Sequence, residues 1–320
     1  MPLRRFWELK VKKVEFKHIP VLKDEVIEAL NIKKDGRYID CTVGGGGHSY
    51  EIARRLDNGK LFCFDRDSEA LSASEERLKE FAGKVTFIKA NFKDAPKFIA
   101  EKVDGILIDL GVSSHQIDEG ERGFSFLHNG RLDMRMGKDE NIKTAFDIVN
   151  HSTEEELREI FFKYGEEEFS KIIAKNIVKS RAKKMIETTF ELRDIIENSL
   201  PKKVVYSRGG ASKKVFQALR IAVNGELDGL SEALESFIDM LNVGGRLVVL
   251  TFHSLEDRIV KNVFKKEATD CLCPPKTPVC ICGHKKKVML VNRKPIVAST
   301  RELSENSRSS SAKLRAVERV

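Results

Sequence analysis

Residues 37–110 alternate between short apolar runs rich in β-formers and amphipathic segments of helical period, and this alternation limits the chain to few architectures. The runs Tyr38–Val43, Leu61–Asp65, Val85–Lys89 and Asp104–Leu110 read as strands. His48–Leu56, Ser68–Phe81 and Asp94–Lys102 read as the helices between them. Strands joined through helices run parallel, so the pattern predicts an α/β fold with helices on both faces of the sheet. In such a sheet, ligands dock beyond the carboxyl ends of the strands. Four consecutive glycines, Gly44 to Gly47, stand at the carboxyl end of the first strand. A glycine run costs backbone entropy, so it implies positive φ or close approach by a ligand.

The run does not fit a dinucleotide fingerprint, because G-x-G-x-x-G counted from Gly44 requires glycine where Ser49 stands. A nicotinamide-dependent dehydrogenase is disfavoured on that ground. Asp40-x-Thr42-x-Gly44-x-Gly46 is a closer fit. It is a variant of the acidic-x-Gly-x-Gly-x-Gly turn of S-adenosylmethionine (SAM) methyltransferases, with Thr42 in the first glycine's place. Asp65 ends the second strand nineteen residues after Gly46, where a carboxylate accepts hydrogen bonds from both ribose hydroxyls. The neighbouring Asp67 reads as a helix N-cap. Phe92 follows the third strand and lies either against adenine or in the core. Asp109 ends the fourth strand and either holds the donor or orients an incoming amine, the alternative being a loop cap. His253, after the last core strand, either accepts a proton, holds a target base, or is structural.

Beyond Asp109 the pattern changes. Residues 111–137 read as loop, and residues 142–200 as consecutive helices with no strand between them. Ser152-x-x-Glu155 and Thr188-x-x-Glu191 have the form of capping boxes. This stretch reads as a helical insertion. Phe124, Phe126 and Leu132–Met136 either present aromatics to an unstacked base or form a buried hinge. Arg131 and Arg135 either bind phosphate or pair with Asp133. Strand patterns return at Arg246–Phe252, after a turn at Gly244-Gly245, and then at Val288–Val291 and Lys313–Val317.

Eight segments together resemble the small-subunit ribosomal RNA cytosine-N4 methyltransferase family (RsmH, also called MraW). They are His18-Ile19-Pro20-Val21-Leu22, Gly44–Ser49, Phe64-Asp65-Arg66-Asp67, Asp109-Leu110-Gly111-Val112-Ser113-Ser114, Arg122-Gly123-Phe124-Ser125-Phe126, Leu132-Asp133-Met134-Arg135-Met136, Phe216-Gln217-Ala218-Leu219-Arg220 and Thr251-Phe252-His253-Ser254-Leu255-Glu256-Asp257-Arg258. The resemblance implies a Rossmann-like SAM-dependent methyltransferase sheet with an inserted all-helical domain. The expected division is a first methyltransferase part over 1–125, a helical substrate-recognition domain over 126–206, and a second methyltransferase part over 207–320. It implies methyl transfer from SAM to the N4 amine of a cytosine in small-subunit rRNA, with Gly46, Gly47, His48, Asp65, Phe92, Asp109 and Gln116 holding the donor. Asp109 and, second, His253 are the catalytic candidates. The chain departs from the family at Gly210-Ala211-Ser212, where His-Pro-Ala is usual, and at Asn306–Ser310, where the usual Asn-Pro-Arg-Ala-Arg is loosened.

Charge bears on the partner. Residues 281–320 carry ten Lys/Arg against three Asp/Glu and residues 1–20 six against two, so of a net +8 the ends hold +7 and +4 and the body about −3. Basic ends suit an RNA phosphate backbone or a solvated tail. The expected partner is small-subunit rRNA or the assembled subunit. No apolar run approaches the ~20 residues that span a bilayer, and the basic start lacks a signal-peptide core, so a cytoplasmic location is expected. Cys41 and Cys63 read as buried small hydrophobes. Cys271-x-Cys273 and Cys280-x-Cys282 suit zinc as thiolates. Their spacing is tighter than common zinc pairs, and Pro274, Pro275 and Pro278 stiffen the loop, so no metal is assigned from sequence. Catalytic zinc is not expected, since methyl transfer from a sulfonium needs no Lewis acid.

Overall fold

The computed structural model describes residues 20–137, 141–205, 210–274, 277 and 279–320. Of the segment His18–Leu22, residues 18 and 19 lie outside this range, as does the rest of the basic start.

A seven-stranded sheet forms the centre, in the order β3-β2-β1-β4-β5-β7-β6. β1 (Arg37–Asp40), β2 (Lys60–Asp65), β3 (Val85–Lys89), β4 (Val103–Asp109) and β5 (Leu241–Thr251) run parallel. β7 (Lys313–Arg319) lies antiparallel between β5 and β6 (Val288–Leu290). The predicted strands are all present, and the sheet is Rossmann-like, mostly parallel with helices on both faces. Strand order reverses between β1 and β4, so a crevice opens at their carboxyl ends.

Alternation along the strands builds two cores. Ile106 and Ile108 of β4, with Leu247 and Val249 of β5, face one helical layer. That layer contains α4 (Ala95–Phe98), α12 (Leu230–Met240) and α13 (Ser254–Glu267). Leu107, Val248 and Leu250 face the other layer, with α1 (Lys23–Leu30), α2 (Gly47–Ala53) and α3 (Ser68–Leu78). Each such buried aliphatic side chain contributes about 1.5–3 kcal/mol relative to exposure. That is why β4 reads as an unbroken apolar run.

A third cluster belongs to the helices α6 (Ala145–His151), α7 (Glu154–Gly165), α8 (Ser170–Arg181), α9 (Thr189–Asn198) and α11 (Gly210–Asn224), separated from α9 by α10 (Lys202–Val205). α5 (Ser114–Asp118) precedes this layer, and α14 (Thr300–Glu305) lies near the C-terminus. Phe161, Ile173, Ile177, Leu192 and Val215 are fully buried within the cluster. The same core takes in Val205 and residues 211–223, because α11 lays its apolar face on α7 and α9.

Some local expectations change. The capping box of α7 is Thr153 with Glu156, one residue beyond Ser152 and Glu155, and leaves Ser152 as the C-cap of α6. Thr188 and Glu191 cap α9 as expected. The turn expected at Gly244-Gly245 lies within the span of β5. There Val103 pairs with Leu241 and Gly105 with Arg246, and the irregularity falls between them. The helix expected over Asp94–Lys102 is only the short α4, because Ile99 turns to extended backbone.

Gly47, the first residue of α2, has a packing role. A Cβ there would lie 2.5 Å from Cγ of Pro20. Gly47→Ala is therefore expected to cost about 1–2 kcal/mol in urea unfolding, overpacking outweighing alanine's better helix propensity. A gain in stability would show that Pro20 simply yields, and Pro20→Ala should relieve the loss if it does not.

Candidate active site

The glycine turn leaves β1 at the switch point. Gly44 and Gly46 hold φ of +50° and +72°, which side-chain-bearing residues rarely adopt. A Cβ on Gly45 would meet nothing within 4 Å, and one on Gly44 nothing closer than 3.9 Å, so this side of the turn is open. A Cβ on Gly46 would press on Ser74 at 3.2 Å. The turn is thus backed by α3 at Gly46, and open around the Cα of Gly44 and Gly45.

Carboxylates surround it. Asp40, fully buried, accepts from the Ser49 hydroxyl at 2.6 Å and from the Thr42 amide at 3.1 Å. Ser49, which breaks the dinucleotide pattern, is used to satisfy that carboxyl. The Thr42 hydroxyl accepts from the Asp109 amide at 2.8 Å and so ties the end of β1 to the end of β4. A glycine there offers no such acceptor. Asp65 accepts from the Gly44 amide at 2.9 Å and from the Asp67 amide at 3.0 Å, one on each oxygen. A carboxylate has about four acceptor sites, so lone pairs remain for ribose hydroxyls.

Asp109 is the most perturbed acid of the site. Its side chain is 27% exposed overall, yet Oδ1 is fully buried with no hydrogen-bond partner. Burial, then the negative fields of Asp40 and Glu256, push its carboxyl up to about 8. Burial likewise raises Asp40, to about 6, against the hydrogen bonds from Ser49 and Thr42. His48 of α2 places Nε2 3.7 Å from Oδ2 of Asp109. The turn, His48, Asp65 and Asp109 therefore converge on one crevice.

His253, the second catalytic candidate, stands just beyond the end of β5. It is the N-cap of α13, with Nδ1 accepting from the Glu256 amide at 3.4 Å and Nε2 3.1 Å from Oε1 of Glu256. Nδ1 is thus used in the cap, as the structural alternative requires, while Nε2 is buried without a hydrogen bond and faces the Glu256 carboxylate. Burial opposes the Glu256 charge, but the His253 contact and the field of Arg220 hold its carboxyl below the usual range. Glu226 lies within metal-ligand distance of His253 and Glu256, but Arg220 grips it through two bonds of 2.8 Å, so the group is an ion-pair network.

Phe92 follows β3, half-buried, its ring 6.3 Å from that of Phe237 and 5.9 Å from Nζ of Lys93. Gln116 is buried and donates to Oδ2 of Asp67 at 3.2 Å and to the Met136 carbonyl at 3.3 Å. Asp67 caps α3 as expected. It also receives Arg122 at 3.1 Å, a residue to which sequence reasoning gave no role beyond its motif. Arg122 donates further to the carbonyls of Arg135 and Met136 at 3.0 and 2.8 Å, closing the 111–137 loop over the end of β2. Asn224 of α11 completes the closure through Met134 and Met136, both at 2.8 Å. Leu132 and Met134 are buried, Arg135 pairs with Asp133, and Phe124 and Phe126 pack partly buried against the helical core.

The MraW methylase family matches this chain over residues 15–320. The chain belongs to the MraW methylase family. Ribosomal RNA small subunit methyltransferase H of Finegoldia magna is 52% identical over 312 residues, 96% of this chain and all of that one. The protein of the same name from Clostridioides difficile is 47% identical over the same shares. Among solved structures, an rRNA methylase from Streptococcus thermophilus superposes with a TM-score of 0.39 at 11% identity, covering 93% of each chain. The open glycine turn and the acids at the ends of β2 and β4 lie together at the carboxyl ends of the strands. Among the described residues, no helix is long and apolar enough to cross a membrane.

Proposed function

We propose that this chain transfers the methyl group of SAM to the exocyclic N4 amine of a cytosine in small-subunit ribosomal RNA. The carrying observation is Asp109, an unpartnered buried carboxyl oxygen at the switch point, beside a glycine turn that is open around Gly44 and Gly45. The site fits a cationic nucleoside donor: it is acidic, it leaves acceptor sites at Asp65, and the backbone at Gly44 and Gly45 admits close approach. When bound, SAM supplies a methyl group activated by a sulfonium.

The chain's own residues position and polarise. Asp65 accepts from the ribose hydroxyls while its bonds to Gly44 and Asp67 keep it aimed. Phe92 offers a ring to the purine. Gly46, Gly47 and His48 line the methionine end, and Gln116 fixes the loop that covers it. The cytosine amine is a weak nucleophile because its lone pair is delocalised into the ring. Asp109 accepts a hydrogen bond from that amine and orients the lone pair for in-line attack, so alignment supplies much of the rate. His253 shapes the site through Glu256 rather than touching the base.

The helical unit, which we draw as 126–224 because its core reaches Val223, serves substrate recognition. The basic C-terminal segment contributes phosphate contacts, and the enzyme acts in the cytoplasm. Tritiated methyl transfer to small subunits, compared with naked rRNA, tests this reading, with nucleoside mass spectrometry of the product. N4-methylcytidine is expected. Unchanged N4-methylcytidine in rRNA from cells lacking the protein defeats the proposal.

A further inference from the structure

We infer that Cys271, Cys273, Cys280 and Cys282 form a structural zinc site at the end of the sheet opposite the crevice. Spacing alone argued against a metal, and the geometry reverses that expectation. The ligand sulfurs all lie within 4.8 Å of one another. Cys271 Sγ is 3.5 Å from Cys280 and 3.8 Å from Cys282, Cys280 is 3.6 Å from Cys282, and Cys273 is 4.0 Å from Cys280. Four thiolates placed about 2.3 Å from one tetrahedral zinc stand ~3.8 Å apart along each edge. The observed separations surround that value. They are far from the ~2.05 Å of a disulfide, and all four cysteines are free.

The backbone around the sulfurs is arranged for charge. The amides of Leu272, Cys273 and Ile281 point at Cys282, Cys271 and Cys273, each at 3.4 Å. Such N–H donors stabilise thiolates and fix their direction, as the outer shell of a metal site does. His284 is turned away, its Nε2 3.1 Å from the Lys266 carbonyl, so the donor set is sulfur only. A closed four-sulfur set suits structural zinc and leaves no open position for catalysis.

The segment also lacks another means of holding its shape. It leaves α13 after Glu267 and returns to β6, closed at its base by the Lys287 amide on the Glu267 carbonyl at 2.8 Å. None of its described residues from Ala268 to Lys287 is buried, and Leu272, Val279 and Ile281 are exposed. A loop this long without a core of its own is uncommon in a compact domain, and a bound metal is a usual staple.

Untagged protein, purified without added metal, is expected to carry about one zinc per chain by elemental mass spectrometry. A mercurial that caps thiols should release it, and cobalt exchanged into the site should give the strong visible bands of tetrahedral tetrathiolate cobalt. Cys280→Ser with Cys282→Ser should lower the zinc content at least tenfold, while SAM affinity by titration calorimetry stays within about twofold, since the site is remote from the crevice. That calorimetry also shows that the variant is folded. Should the double variant fail to fold, the cobalt spectrum of the unaltered protein decides. Protein grown with ample zinc that holds less than a tenth of an equivalent overturns the site. So do iron in place of zinc, a mass deficit showing disulfides, or zinc unaffected by the double substitution.

Discussion

Asp109→Asn is expected to lower methyl transfer by about 10²–10³-fold, the range for losing one preorganised hydrogen-bonding group at the reacting centre, and to make the ligand-free protein more stable at alkaline pH. The two effects have one origin. Burial and the fields of Asp40 and Glu256 hold the Asp109 carboxyl at about 8, far above its unfolded value of 3.8. A carboxyl raised on folding favours the protonated native state. The stability it supports is complete below the unfolded value and is lost as pH rises through about 8. Asparagine never ionises, so the loss disappears. A cationic donor has the opposite preference, because it favours the carboxylate. SAM affinity should therefore rise with pH towards 8, and the thermal shift given by SAM should be larger at about pH 8.5 than at about pH 6.5. The asparagine variant should flatten this slope and keep the part due to Asp40, whose carboxyl sits at about 6. Titration calorimetry across that window, with single-turnover methyl transfer, checks both halves. Full activity in the variant, or an unchanged pH slope in binding, removes Asp109 from the reaction.

The parts of this site that were legible in the sequence are those fixed by local chemistry. Strand periodicity placed Asp65 and Asp109 at strand ends, and the glycine run located the crevice. Asp67 as a cap follows from its position before a helix. What the sequence did not disclose were contacts between residues far apart in the chain. Thr42 in the first glycine's place was an anomaly until its hydroxyl was found on the Asp109 amide, 67 residues away. Ser49 similarly becomes intelligible once it bonds Asp40 across the turn. His253 followed by Glu256 has a capping-box spacing, but a histidine cap lies outside the usual Ser, Thr, Asp and Asn set, so the sequence does not mark His253 as a cap. α11 carries an apolar face like any sheet-packing helix, so periodicity alone does not say which core it joins. Only the tertiary contacts reveal that this face is spent on the insertion.

Arg122→Met is expected to cost about 3–5 kcal/mol of folding stability, the range for leaving one partner of a buried ion pair without the other. Arg122 and Asp67 are each only 4% exposed in their side chains, so water cannot replace the lost partner. The guanidinium also satisfies the carbonyls of Arg135 and Met136. Those bonds hold a stretch in which buried Met134 keeps φ at +61°, a region that a large side chain occupies only when its surroundings impose it. Loss of Arg122 should free this stretch, and with it Gln116, which shares Asp67 and the Met136 carbonyl. SAM binding should weaken as well, because Asp65 is aimed partly through the Asp67 amide. Arg122→Lys keeps the charge, but one ammonium cannot reproduce a planar fork spanning Asp67 and two carbonyls, so it should recover only part of the loss. Arg122→Met combined with Asp67→Asn should recover more. It leaves no unpaired buried charge, and asparagine still caps α3. Urea unfolding of the three variants, each also titrated with SAM, distinguishes these contributions. A single Met variant within about 1 kcal/mol of the unaltered protein would mean that the loop is held by Asn224 and its own packing, and that the Arg122–Asp67 pair is a neutral occupant of the interface.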